Sequence, residues 1–321
     1  MQTPSTELTK DELTAAEPGA TGSPAIHTVE LAKRYGSTVA LAGLNMTVPR
    51  GEVFGYLGPN GAGKTTSVKL FMGLAKPTSG EAWLLGAPIG DRLTRRRIGY
   101  LPELFRYQGW LTAREVLALH CELAHLPRAR WGSEIERALA TVDLASRADD
   151  RVATFSKGMQ QRLGLGVALL GEPELVLLDE PTSALDPVGR YDVRDIIRGL
   201  KARGVTVFLN SHLLSEVEQV CDRVAIVDRG RVIALGTLRE LLSGSTVRMR
   251  VSGLEDGRRE QLGTFGRLQQ EGEWLVVEGI EQSRVPELVA ETVRLGGRVY
   301  AVESRQLTLE DRFLQLLGDD R

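Results

Sequence analysis

Cysteine is scarce: Cys121 and Cys221 are the only two in 321 residues. No C-x-x-C pair or Cys/His cluster accompanies them, so neither a disulfide nor a zinc site is expected, and a reducing compartment suits the chain. Long apolar runs are also missing. A membrane helix needs roughly 18 uninterrupted apolar residues, and the longest candidates, such as 163–170, reach about half of that; the chain is not expected to span a membrane by itself. Neither sign of charge dominates. Forty basic side chains face forty-two acidic ones, for a net charge of −2, which supplies no global attraction to nucleic acid. The N-terminus has no basic segment followed by an apolar one, so a secretory signal is not expected. Residues 1–24, rich in Thr, Pro and Glu, read as a disordered tail. With 42% hydrophobic content, the remainder can bury a sizeable core in two or three domains.

What the chain does have is Gly58-Pro59-Asn60-Gly61-Ala62-Gly63-Lys64-Thr65-Thr66, which fits the phosphate-loop pattern G-x-x-x-x-G-K-[ST]. An apolar run, 53–57, precedes it and a helix-compatible stretch with Val68, Phe71 and Met72 follows, giving the order strand, loop, helix. Glycines at 58, 61 and 63 let backbone N–H groups curl around an anion. The amides at the start of the following helix add to that attraction. Lys64 is placed to reach the β- and γ-phosphates of a nucleotide, and the Thr65 hydroxyl to ligate Mg²⁺.

Upstream, residues 27–48 alternate as antiparallel strands around Gly36-Ser37. Tyr35 sits between them, and an aromatic at the end of an edge strand reads, on its own, as packing. A short strand is expected at 82–85, and another at 98–103 that ends in the carboxylate of Glu103. From 105 to 155 the pattern becomes helical. Thr112 with Glu115 forms a capping box, and Ser133 with Glu136 is expected to repeat it ahead of Ile135, Ala138, Leu139 and Val142. Ser156 then opens a helix with Leu163, Val167 and Leu170 on its apolar face.

The run 174–180 is apolar and closes on Asp179-Glu180, as a strand buried on both faces does when it delivers acids at its carboxyl end. The run 205–209 does the same for Asn210-Ser211-His212, and 224–227 with 232–235 form a hairpin around Arg229-Gly230. Composition shifts at Ser243-Gly244-Ser245. Beyond it, strands at 247–251, 274–277 and 298–302, a helix at 286–295 and a final helix capped by Thr308 and Asp311 form a small α/β appendix without an ionisable cluster that suggests chemistry. Phosphate loop, paired carboxylates and strand-end His converge on ATP hydrolysis. Asp179 can hold the Mg²⁺ shell, while Glu180, turned differently, can orient or deprotonate a water.

With these residues in this order, the chain resembles the ATP-binding subunit of ABC transporters over about 26–242. The motifs are GPNGAGKTT (58–66), FSKGMQQR (155–162), LVLLDEPTSALD (175–186) and NSH (210–212). The resemblance implies an α/β fold: a P-loop NTPase core with an antiparallel β subdomain and a helical insertion (25–242), then a small C-terminal α/β domain (246–321). It implies that Tyr35 stacks on adenine, Ser156 and Gly158 contact the γ-phosphate in trans, Asp186 belongs to a loop between subunits and His212 senses that phosphate. It further implies two ATP and Mg²⁺ sandwiched between two such subunits, two copies of this chain sufficing. A separate permease would dock near 103–123 and hold the chain at the cytoplasmic face of the membrane. Two departures stand out. The usual L-S-G-G-Q reads Phe155-Ser156-Lys157-Gly158-Met159, and the usual Gln after the Y-x-P strand is Glu103, which can still ligate Mg²⁺. Both, with the terminal LTLEDRFL (307–314), resemble an export-type branch that moves drugs, lipids or polysaccharides. A soluble ABC ATPase of translation or DNA repair is the alternative. Lys64 and Ser156 stand too close in sequence for the long coiled coil of the repair members, and there is one cassette where the translation factors carry two. A weakly hydrolysing regulator is a third reading, prompted by Glu103 and the altered signature and opposed by Glu180 and His212.

Overall fold

The computed structural model describes residues 22–183, 185–242 and 245–318. Most of the expected N-terminal tail, at 1–21, and the Ser243-Gly244 part of the composition break lie outside the described residues.

In chain order, β1 (Ile26–Tyr35) and β2 (Thr38–Val48) form a hairpin, β3 (Val53–Leu57) leads into the phosphate loop, and α1 (Lys64–Phe71) leaves it. β4 (Ser79–Leu84), β5 (Ala87–Pro88), the single turn α2 (Arg92–Arg95) and β6 (Ile98–Leu101) follow. The insertion contributes α3 (Ala113–Leu123) and α4 (Arg128–Thr141), after which come α5 (Lys157–Ala168), β7 (Leu175–Asp179), α6 (Pro187–Ala202), β8 (Thr206–Asn210) and α7 (Leu214–Val220). β9 (Arg223–Asp228), β10 (Arg231–Thr237) and α8 (Leu238–Leu241) precede the C-terminal sheet.

A six-stranded sheet runs β10-β9-β3-β8-β7-β6. All its neighbours from β9 to β6 pair in parallel and only β10 is antiparallel. Its inner strands β3, β7 and β8 are buried at every position, which is why they read as continuous apolar runs. The parallel register brings the ends of β3, β6, β7 and β8 to one edge, where open α/β sheets bind ligands. A second, antiparallel sheet runs β2-β1-β4-β5. β1 is therefore an interior strand and not the expected edge strand, and Tyr35, its last residue, pairs only with Thr38 of β2.

Thr112 caps α3 in the expected reciprocal box with Glu115. The second expected box does not form. α4 starts six residues earlier than Ser133 would place it, at Arg128 behind Pro127, and Ser133 inside the helix donates to the Arg130 carbonyl at 3.0 Å. Glu136 instead accepts from Arg114 of α3 at 2.5 Å, so an ion pair between helices claims the side chain that local spacing assigned to a cap. Fully buried Glu134 accepts from Arg130, Arg137 and the Gly171 amide, tying α4 to the end of the next helix.

The C-terminal segment adds β11 (Ser245–Ser252), α9 (Asp256–Arg259), β12 (Arg267–Glu271), β13 (Trp274–Ile280), α10 (Val285–Arg294), β14 (Arg298–Gln306) and α11 (Leu309–Gly318). Its sheet, β12-β13-β11-β14, has the split β-α-β-β-α-β connectivity around a core of Val247, Met249, Leu262, Leu275, Val277 and Leu288. Polar β12 has no counterpart in the sequence reading. Thr308 and Asp311 form the expected cap. The helix they open does not stay with this sheet: Leu309 is buried in the core of the nucleotide-site sheet, Phe313 and Leu316 pack against that core, and the Leu309 amide donates to Glu218 of α7 at 3.2 Å.

Candidate functional site

The phosphate loop has its shape because glycine is the only residue that fits at two of its corners. A Cβ on Gly58 would stand 2.3 Å from the Val227 carbonyl of β9, and one on Gly63 would stand 2.3 Å from the Ala40 carbonyl, with φ at +99°. Both corners are excluded to L side chains on steric grounds. Behind the loop, the Tyr56 hydroxyl and Ser67 Oγ are hydrogen-bonded at 2.9 Å in full burial, fastening α1 to β3. Lys64 opens α1 and donates Nζ to the Gly58 carbonyl at 2.7 Å and the Pro59 carbonyl at 3.3 Å. Thr65 is exposed and Thr66 half-buried on the first turn. Pro59, Asn60, Gly61 and Ala62 also line a cleft of about 310 Å³ with Asp228, Arg229 and, from the last helix, Leu317.

Across the same sheet edge stand the acids. Asp179 ends β7, and Glu180 follows with φ at +52°. That left-handed step, uncommon for a residue with a side chain, turns Glu180 away from the direction of Asp179. It is fixed by the Glu180 amide donating to the Asn210 carbonyl at 2.8 Å, and by the Ser183 amide and hydroxyl both donating to the Glu180 carbonyl. His212 Nδ1 is 2.7 Å from Glu180 Oε2, with the carboxylate as acceptor. Glu103, past the end of β6, is exposed and close enough to act electrostatically on Lys64 and Asp179.

Burial pulls the Lys64 ammonium below its usual value, opposed by Glu180, Asp179 and Glu103. Burial pushes the Asp179 carboxyl up, an amide from Asn210 holds it down, and Glu103 and Glu180 add to the rise. Tyr100 of β6 is pushed up to about 12 by burial and by the same Asp179 and Glu103. Three carboxylates around one lysine leave a deficit of positive charge. Thr65, Asp179 and Glu103 offer only hard oxygen ligands, and among the described residues no cluster of three or more His, Cys, Asp or Glu could hold a metal alone. Mg²⁺ fits that donor set, because it takes one or two carboxylates and completes its shell with phosphate oxygens and water.

The structure thus brings Lys64, Glu103, Asp179, Glu180 and His212 together from four strand ends. Tyr35, Ser156 and Gly158 stand on other elements. Tyr35 is half exposed, with Lys33 Nζ 4.8 Å from its ring centroid. Ser156 is the N-cap of α5, its Oγ accepting from the Met159 amide, and Gly158 lies in the first turn. Asp186 caps α6 through the Gly189 amide. One residue escaped the sequence reading of roles: Asn210, buried at the end of β8, donates Nδ2 to Asp179 Oδ1 at 2.5 Å. Its position in a strand-end motif was visible, but a lone amide carries no spacing signal.

A strand, glycine loop and helix beside strand-end carboxylates on a parallel sheet define a P-loop nucleotide-binding domain. Comparison with known proteins narrows the class. The ABC transporter family matches residues 41–183. An ABC transporter ATP-binding protein of Nostoc sp. is 42% identical over 281 residues, 86% of this chain and 82% of that one. A bacitracin transport ATP-binding protein of Bacillus licheniformis is 41% identical over 66% of this chain and 69% of its own. A Nod factor export ATP-binding protein of Rhizobium meliloti is 39% identical over 69% and 67%. The solved structure of an ATP-binding subunit of an ABC transporter matches with a TM-score of 0.61 and 32% identity, over 67% of this chain and 91% of that one. A dimeric ATP-binding cassette in a post-hydrolysis state, bound to ADP and Pi, matches with a TM-score of 0.60 and 25% identity, over 67% and 99%. This chain belongs to the ATP-binding proteins of ABC transporters. Among its described residues no helix is long and apolar enough to cross a membrane.

Proposed function

We propose that two copies of this chain close on two ATP molecules, hydrolyse them, and so drive a separate membrane permease that exports its substrate. The observation that carries this reading is the gathering of Lys64, Asp179, Glu180 and His212 at one edge of the parallel sheet. Lys64 holds the β- and γ-phosphates, leaving the loop carbonyls it now binds. Thr65, Glu103 and Asp179 hold Mg²⁺, whose chemistry when bound is to neutralise charge on the β- and γ-phosphate oxygens. Glu180 takes the proton of the attacking water. His212, hydrogen-bonded to Glu180, orients that carboxylate and faces the γ-phosphate. Tyr35 stacks on adenine, beside Lys33.

Ser156 and Gly158 act on the partner copy's nucleotide, and the N-terminus of a twelve-residue helix suits an anion there. Asp186 lies in the loop between copies. The units are 25–242 for the ATPase, with its helical part at about 105–155, and 246–321 for the appendix, whose last helix packs back on the ATPase core. Support for a permease comes from side chains that the chain itself leaves uncovered near 103–123: Leu104 is 87% exposed, Trp110 73% and Leu123 65%. Large apolar groups left exposed suit a protein contact. Through it the chain sits peripherally at the cytoplasmic face of the membrane. Export is the reading favoured by the relatives named for bacitracin transport and Nod factor export.

The test is Glu180→Gln. Loss of a general base lowers turnover by about 10²- to 10⁴-fold, and with ATP and Mg²⁺ the variant should elute at twice the mass of the chain and hold nucleotide. Near-normal hydrolysis, or a monomer under those conditions, contradicts the assignment.

A further inference from the structure

We infer that Asn210 is a positioning residue for the magnesium carboxylate, holding Asp179 in the one orientation that leaves its other oxygen for the ion. The inference rests on the ATPase reading above and assigns a role to a side chain that this reading does not use.

The geometry is that of a clamp. Asp179 and Asn210 are register partners at the ends of adjacent parallel strands, and Asn210 pairs on its other side with Tyr56 of β3, the strand that leads into the phosphate loop. Both side chains are buried, Asp179 at 2% exposure and Asn210 at 1%. A carboxylate only accepts hydrogen bonds, so the amide must present its NH₂ to Asp179, and Nδ2 lies 2.5 Å from Oδ1. This ties down one carboxylate oxygen and restrains rotation of the group. The Asn210 main chain serves the neighbouring acid as well, since its carbonyl accepts the Glu180 amide at 2.8 Å. One residue therefore sets the direction of both acids, and the chain reaches His212 two residues later.

The other end of the amide is unfinished. Asn210 Oδ1 is buried and has no hydrogen-bond partner. A buried acceptor in that state calls for a donor, and hydrated nucleotide entering the site would bring one. A side chain retained only to pack would do so without a polar atom left open beside the metal carboxylate.

The test uses Mn²⁺ as a spectroscopic probe of the ATP complex of the full chain. Asn210→Leu keeps nearly the same shape and removes the hydrogen bond, while Asn210→Ser keeps a shorter donor. Groups that orient metal ligands are worth about 10- to 100-fold in metal affinity, so Asn210→Leu should bind Mn²⁺ in the ATP complex about 10- to 100-fold more weakly, with Asn210→Ser in between. ATP affinity in EDTA, which a general loss of structure would lower, should stay within about twofold of the parent's in both. Should Asn210→Leu not fold, Asn210→Ser still decides. Mn²⁺ affinity within twofold of the parent in a folded variant overturns the inference and leaves the ATPase reading intact. A parent chain that binds no Mn²⁺ with ATP overturns both.

Discussion

Gly158→Ala separates what the chain needs for itself from what it needs for a partner. An alanine Cβ at 158 would meet only Leu185 Cδ2 and Ser156 Oγ, each at 3.8 Å, which is ordinary contact. The residue lies in the first turn of α5, and its φ is not among the positive values of the chain. Nothing within one copy therefore requires glycine. Replacing a glycine by alanine where the backbone already suits alanine stabilises by about 0.4–1 kcal/mol, mainly by narrowing the unfolded ensemble. For a domain of this size that raises the melting temperature by about 1–4 °C. In the closed pair, however, the same methyl would stand between the α5 amides and the partner's γ-phosphate. Removing one donor of that kind costs about 10²- to 10³-fold in turnover. Thermal melting and steady-state ATP hydrolysis, run on the same preparation, should move in opposite directions. A variant that is more stable and fully active would refute the proposed contact across two copies.

Lys64→Ala should weaken nucleotide binding, read by titration of a fluorescent ATP analogue; unchanged affinity would remove Lys64 from the phosphate site. Tyr35→Ala should raise KM for ATP more than it lowers kcat, and equal affinity would return the ring to packing with Lys33. Leu104→Asp and Trp110→Asp change exposed side chains, so stability should stay within about 0.5 kcal/mol. Both should reduce recovery of a permease with the tagged chain, and undiminished recovery would move the docking surface elsewhere.

The nucleotide-site sheet was legible because its strands are buried on both faces, so 53–57, 174–180 and 205–209 stand out as apolar runs that lead to the phosphate loop, the paired acids and Asn210-Ser211-His212. The Thr112 cap was legible because both of its bonds are local. Ser133 with Glu136 shows the same spacing, but Glu136 is claimed by Arg114, 22 residues away, and Pro127 starts the helix earlier. Spacing does not register a long-range competitor. β12 was missed because RLQQE, at the edge of its sheet, buries no residue fully. β1 was misplaced at an edge because alternation reports a half-buried face and says nothing of how many neighbours a strand has. Within the site, Lys64 and the two acids followed from motif order. The clamp by Asn210 and the left-handed φ of Glu180 arise only when β7 and β8 pair.

The most direct test of an energy-coupling role is co-purification. Tagged Glu180→Gln chain would be isolated from native membranes in the presence of ATP and Mg²⁺, and the proteins that stay bound identified. The account predicts recovery of a polytopic membrane protein together with ATP-bound chain. Recovery of the chain alone from the soluble fraction, or with ribosomes or DNA, would contradict the transport reading while leaving the nucleotide site in place.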